Sequence, residues 1–211
     1  MPREPVLADV AYKKLREALA HGTLRPNQRL VEAELTELFD IGRTPIRSAL
    51  LALENQGLII KQRTSWTVRE FGPADIRNVY QVRMALEGFA ARLTATVAED
   101  GTLKKIEQIL AGHGDKLGTL DADAQVKLNA DFHGSIARAC GNPHLIAQIE
   151  RNQQFHFDFH TARLYTAQDY AVGHASHHEI VGALLRRDPD AAEELTRAHY
   201  ELSLKTLLER L

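Results

Sequence analysis

Cysteine occurs once in this chain, at position 140, so no disulfide can form within it. No apolar run approaches the length needed to cross a bilayer, and no apolar segment behind a basic leader stands at the N-terminus. These absences point to the cytoplasm. A dominant charge is missing too. With 26 Lys and Arg against 28 Asp and Glu the formal net charge is −2, which argues against a protein that holds nucleic acid by bulk charge alone. Also lacking are a P-loop, a dinucleotide-binding fingerprint, a nucleophile elbow, internal repeats and any low-complexity stretch. What remains is ordinary globular material: 211 residues, 44% apolar and 26% charged, enough for one large domain or two small ones. The charge is unevenly divided. Residues 1–71 carry a balance of +2 and the remainder −4, the sign expected of a DNA-binding front and a different kind of rear.

The front half is organised around Gly42-Arg43-Thr44-Pro45-Ile46-Arg47 and the helical run that follows it to Gly57. Thr44 is placed to cap the first turn, with Pro45 at the first helical position and Gly57 as the left-handed stop. Ile46, Ala49, Leu50 and Leu53 make one apolar stripe, while Arg43 and Arg47, four apart, project away from it. Such a helix suits a major groove, where arginine donates bidentately to guanine. Upstream, Leu7, Val10, Ala11, Leu15, Ala18 and Leu19 follow a helical period that ends at His21-Gly22. A short helix is expected over Val31–Phe39 with Leu35 and Leu38 inward, joined by Asp40-Ile41-Gly42 to the capped helix. Downstream, Leu58–Lys61 and Trp66–Arg69 read as strands with a polar tip between them. That makes a hairpin wing with Arg63 in reach of a phosphate or the minor groove.

The segments Leu30–Leu35, Ile41–Leu50 and Leu53–Ile59 together resemble the winged helix-turn-helix domain of GntR-family bacterial transcription factors over nearly all of residues 6–70. The resemblance implies that Arg43 and Arg47 read bases while Thr44 and the wing, with Arg63, bind backbone. Gly42 stands where a hydroxyl residue is common in that family, and Thr64-Ser65 where the wing tip usually has glycine.

Beyond Phe71-Gly72-Pro73 every period is helical, giving expected helices over Ala74–Ala98, Thr102–Leu117, Ala122–Ala139, Pro143–Tyr165, Ala167–Arg186 and Pro189–Leu211. The fold class is therefore mainly α, with a winged front domain over residues 1–71 and an antiparallel bundle of about six helices over 73–211. Nine histidines fall in this half: His113, His133, His144, His156, His160, His174, His177, His178 and His199. Asn129 and His133, four apart, share a helix face. His177 and His199 lie on two helices joined by the short Asp188-Pro189 turn, which can bring both imidazoles to one level. Three imidazoles and an amide oxygen suit a first-row divalent ion such as zinc or nickel. His156 and His160, in an aromatic-rich stretch, read as pocket lining or interface. His178 and Asp131 are expected to face away, and Cys140 is assigned no chemistry.

The runs Val82–Glu87, Ala90–Leu93, Asp131–His133, Gly141–Pro143, and His177 with Ile180, Ala183-Leu184, Asp188 and His199 look like the FCD effector domain of the FadR branch of GntR regulators. That resemblance implies an all-helical effector-binding and dimerisation domain with metal ligands at Asn129, His133, His177 and His199. It further implies a small carboxylate effector, for which Arg83 is a candidate clamp; the alternative for Arg83 is an ion pair with Glu87 one turn on. The expected whole is a homodimeric, metal-assisted, ligand-responsive repressor acting on double-stranded operator DNA, without membrane attachment. Two further readings stay open: an all-helical metal-dependent hydrolase and a constitutive DNA-binding protein with a vestigial effector site. The hydrolase is disfavoured because His177-His178-Glu179 supplies no His-Asp pair and no general base is evident.

Overall fold

The computed structural model describes residues 4–114, 122–153 and 164–211, and the chain divides into two compact units between Gly72 and Pro73. His156 and His160 lie outside the described residues.

The first unit holds α1 (Glu4–Ala20), α2 (Glu32–Phe39) and α3 (Arg43–Asn55) with three strands, β1 (Arg29–Leu30), β2 (Ile59–Lys61) and β3 (Trp66–Val68). The strands form an antiparallel sheet in the order β1-β3-β2, with Leu30 opposite Trp66 and Ile60 opposite Thr67. Leu15, Leu30, Ile46, Leu50, Leu53 and Ile59 are all essentially inaccessible to solvent and form one core. Each such side chain contributes roughly 1.5–3 kcal/mol on burial. The stop at Gly57 is as the sequence implies. Its φ of 70° closes α3, and the Leu58 amide reaches back to the Leu53 carbonyl at 3.0 Å.

Three local expectations are corrected. First, α3 begins at Arg43 with Gly42 at its N-cap, so Thr44 lies inside the first turn and does not cap it. Pro45 still fits there, because first-turn amides have no intrahelical acceptor. Second, Leu38 is 58% exposed and Phe39 packs on the core instead. A helix of two turns has one contact face, and Leu35 shares it with the residue four, not three, positions on. Third, the expected two-strand wing is part of a three-stranded sheet: β1, hidden in the sequence because two residues are too few to show an alternation, pairs with β3.

The second unit contains, among the described residues, six helices: α4 (Pro73–Val97), α5 (Asp100–Gly114), α6 (Ala122–Ala139), α7 (Pro143–Gln153), α8 (Ala167–Leu185) and α9 (Pro189–Leu208). Helix α4 packs along α9 and also meets α6, α7 and α8, so it is the axis of the bundle. The expected helix from Pro143 to Tyr165 is corrected at its end: Leu164 and Tyr165 are not helical. The chain is reset there by a capping box, in which Thr166 accepts from the Asp169 amide and the Asp169 carboxylate accepts from the Thr166 amide. Helices α8 and α9 form a hairpin. Arg187 takes a left-handed conformation (φ 56°), and Asp188 caps α9 by accepting from the Ala191 amide at 3.0 Å. The Arg187 guanidinium is held by the Ala98 carbonyl and Asp100, both at 2.5 Å, which ties that turn to the α4–α5 connection. No described helix is long and apolar enough to cross a membrane.

Candidate functional site

Two sites emerge, one in each unit. In the first unit Arg43, Arg47 and Arg63 line one groove with Lys61, on the side of α3 opposite its buried stripe. All four are exposed, as is Thr44. The Arg47 side chain is 65% exposed and its Nε lies 3.7 Å from a Glu32 carboxylate oxygen. An exposed pair of this kind is worth well under 1 kcal/mol and leaves the guanidinium available to a stronger acceptor. Ser65, buried at the tip end of β3, accepts from Arg29 Nε at 3.1 Å and ties the wing tip to β1. Lys61 and Arg29 were not singled out from sequence; Lys61 could be found from its place at the end of a strand beside the wing, whereas Arg29 lies on the strand that the sequence hid.

The second site follows from the α8–α9 hairpin. His177 and His199 stand eleven residues before and after Asp188. Eleven residues are about three helical turns, so both imidazoles return to the face they share and to the same height. Their Nε2 atoms are 3.3 Å apart. His133 arrives from α6, and the ligating atoms of His133, His177 and His199 all lie within 4.8 Å of one another, with every ring buried. Phe132 stacks on His177 with ring centroids 4.4 Å apart, closing one side of the cluster with an apolar wall. A cavity of about 120 Å³ opens beside it, lined by Arg83, Asn129, His113, His177, His199 and Tyr200 among others. That is well below the 300–1,000 Å³ typical of sites for drug-sized ligands, and suits a molecule of a few heavy atoms. Asn129 is half-buried on this wall, one turn before His133. His178 is exposed and its ring rests on His174, and Asp131 is exposed, so neither joins the cluster.

Electrostatics make the three imidazoles neutral. Burial, then the neighbouring imidazoles, holds His133 and His177 well below the ordinary histidine value. Burial, then the Arg83 charge, lowers His199 to about 3. The hydrogen bonds also select tautomers. Ser176 donates its only hydroxyl proton to the Gly173 carbonyl at 2.7 Å, so its oxygen accepts from His199 Nδ1–H, also at 2.7 Å. That leaves a lone pair on His199 Nε2. His133 Nδ1 faces a Glu87 carboxylate oxygen at 3.9 Å, while its Nε2 is buried with no hydrogen-bond partner. A buried ring nitrogen without a partner is costly unless something binds it. Three neutral imidazoles whose nitrogens converge, with the outer nitrogens of His199 and His133 set against Ser176 and Glu87, are the donor set of a divalent metal site, so these residues fit such an ion.

Arg83 forms the ion pair with Glu87 that was its alternative reading, Nε to Oε1 at 3.1 Å with both residues buried, and it also lines the cavity. It donates to the Tyr200 hydroxyl at 3.3 Å and lies 4.6 Å from that ring's centroid. Tyr200 in turn donates to the other Glu87 oxygen at 2.5 Å. Glu87, Tyr200 and His113 were not assigned to the site from sequence, and only the one-turn spacing of Arg83 and Glu87 hinted at the first.

Comparison with known proteins identifies both domains. Residues 7–68 match the gntR family of bacterial regulatory proteins, and residues 78–202 match the FCD domain. An uncharacterised HTH-type transcriptional regulator of Bacillus subtilis, YdhC, is 27% identical over 90% of this chain and 85% of its own. The HTH-type transcriptional repressor RspR of Escherichia coli is 26% identical over 95% of this chain and 88% of its own. Among solved structures, McbR/YncC of E. coli shares the fold with a TM-score of 0.81 at 20% identity, covering 96% of this chain and 97% of that one. These domains and relatives are those of DNA-binding transcriptional regulators and not of enzymes, and the chain belongs to the GntR family, as a regulator that joins a winged helix-turn-helix to an FCD domain.

Proposed function

We propose that this regulator is a homodimeric repressor whose operator affinity is set by a small carboxylate bound beside a divalent metal. The observation that carries the reading is the buried His133 Nε2, without a partner and facing two further neutral imidazoles at the edge of a small cavity. His133, His177 and His199 would hold the ion, with the Asn129 amide oxygen as a fourth ligand, and zinc or nickel suits this set. When bound, the ion supplies a positive charge to which a carboxylate oxygen can coordinate. Arg83 supplies the second positive group, whose planar fork matches a carboxylate. In the first unit Arg43 and Arg47 read base edges, while Thr44 and Arg63 hold backbone. A two-fold dimer would set two α3 helices in successive major grooves of a palindromic site. The effector changes operator affinity only by the difference in its own affinity for the two dimer arrangements. Repression rather than activation is favoured by relatives named as repressors, among them RspR and NanR.

The test is metal content and operator release together. Protein prepared without an affinity tag or chelator is expected to carry about one divalent ion per chain, and the His177→Ala variant none. A panel of small carboxylates, titrated against the loaded protein on its upstream DNA, is expected to release the wild type and to leave His177→Ala unaffected. A metal-free wild type, or release that His177→Ala does not alter, would remove the metal from the account.

A further inference from the structure

The ion pair between Arg83 and Glu87 touches both features of the site: Arg83 lines the cavity and Glu87 faces His133 of the imidazole cluster. Glu87 is 4% exposed and uses both of its oxygens. Oε1 accepts from Arg83 Nε at 3.1 Å, and Oε2 accepts from the Tyr200 hydroxyl at 2.5 Å while lying 3.9 Å from His133 Nδ1. Tyr200 closes the circuit, since Arg83 Nη2 donates to the same hydroxyl at 3.3 Å. One carboxylate is thus the shared neighbour of a guanidinium at the cavity and of an imidazole in the cluster.

We infer that Glu87 is a positioning residue with two opposed effects: it strengthens metal binding through His133 and weakens carboxylate binding at Arg83. The inference rests on the metal and carboxylate reading above. The first effect has two causes. A carboxylate facing Nδ1 favours the tautomer with the proton on that nitrogen, which turns the Nε2 lone pair toward His177 and His199. The same negative charge neutralises Arg83, which would otherwise sit uncompensated beside an incoming cation. The second effect is competition. In the effector-free state the guanidinium already has a carboxylate partner, and an effector's carboxylate must share it or displace it. Effector binding at Arg83 therefore loosens Glu87 from the guanidinium and frees its charge to act on His133. Metal and carboxylate are coupled through this residue and should each raise the affinity of the other.

Glu87→Gln separates this role from a structural one, because it keeps the side chain's shape and removes its charge. Zinc affinity of the full chain would be measured by competition with a chromogenic chelator. Binding of ¹³C-acetate to the metal-free chain would be followed by NMR, with circular dichroism as the check on folding. The expected result is a zinc Kd raised roughly 10- to 100-fold together with acetate bound several-fold more tightly. A merely structural lesion would weaken both, and that outcome, or no change in either, overturns the proposal. If Glu87→Gln does not fold, Glu87→Asp carries the test. Its shorter arm draws the carboxylate back from both Arg83 and His133, so zinc binding should weaken while acetate binding tightens; loss of both overturns the inference. A wild type that binds no zinc would refute the metal site itself. A wild type that binds zinc, beside variants that bind it equally, would refute only the role of Glu87.

Discussion

Acid should unfold the helical unit of the metal-free protein well before the winged unit. His199 is held at about 3 in the folded chain against an ordinary 6.5, first by burial and then by Arg83. His133 and His177 are depressed in the same direction, chiefly by burial. A Glu87 oxygen lies 3.9 Å from His133, yet burial, the two other imidazoles and Arg83 hold that ring down. Because the folded values lie below the unfolded ones, the unfolded chain binds more protons between the two. Stability is therefore complete above about pH 6.5 and is lost as pH falls toward 3. At pH 5.5 an unfolded histidine is about 90% protonated and a folded His199 hardly at all, a difference of about 1.4 kcal/mol from that residue, to which His133 and His177 add in the same direction. With a urea m-value of about 2 kcal/mol/M, the midpoint should drop by at least about 0.7 M between pH 7.5 and 5.5. Circular dichroism at 222 nm follows the helices, and Trp66, the only tryptophan, reports on the first unit as an internal reference. The triple variant His133→Gln/His177→Gln/His199→Gln should lose most of this pH dependence. A wild-type midpoint that moves by less than about 0.5 M, or a shift that survives in the triple variant, would refute the assignment of buried neutral imidazoles.

At the other site, Arg47→Ala should lower affinity for the specific operator by roughly 5- to 150-fold, the worth of one bidentate base contact, and leave binding to unrelated DNA nearly unchanged. Arg63→Ala should instead weaken binding to all sequences and reduce the slope of log K against log salt by about one, both read from fluorescence anisotropy over a salt series. Equal losses on specific and unrelated DNA for Arg47→Ala would remove its base-reading role. Asp188→Ala removes the cap of α9 and should cost about 1 kcal/mol in chemical denaturation, with the three buried imidazoles left in place.

How much of this was readable beforehand depended on the range over which each signal acts. Helix α3 was legible because its stripe, its basic pair and Gly57 lie within sixteen residues and obey one period. The α8–α9 histidines were legible for a related reason: one tight turn and two regular helices convert a sequence distance into a height. His133 comes from α6, a separate helix, and the sequence offered only its one-turn spacing from Asn129; the resemblance to a known domain supplied the rest. Glu87 was hinted at only by its one-turn spacing from Arg83, while Tyr200 and His113 had no local signal, Tyr200 meeting Arg83 and Glu87 from another helix. The misplacements at Thr44 and Leu38 were of another kind. Caps and two-turn helices are decided by a single backbone angle or a single contact, and there the general preference is weak.

The centre of the helical unit would be more stable without the groups it contains. Three neutral histidines, an arginine and a glutamate occupy space that leucine and phenylalanine would fill with gain, and a buried ion pair generally does no better than an apolar pair of the same volume. The surroundings show no shortage of apolar alternatives, for Phe132 and Ile180 beside the cluster are fully buried. Nor do the polar groups satisfy only one another, because the His133 Nε2 has no partner in the closed set. A purely structural network would be expected to close on itself, since each unmet group costs about 1–3 kcal/mol. The Ser176, Glu87 and Tyr200 contacts instead fix the outer atoms of the cluster and leave an inner one unmet beside a cavity. That asymmetry, ordered on the outside and incomplete on the inside, is the arrangement that binding requires and that folding alone would not favour.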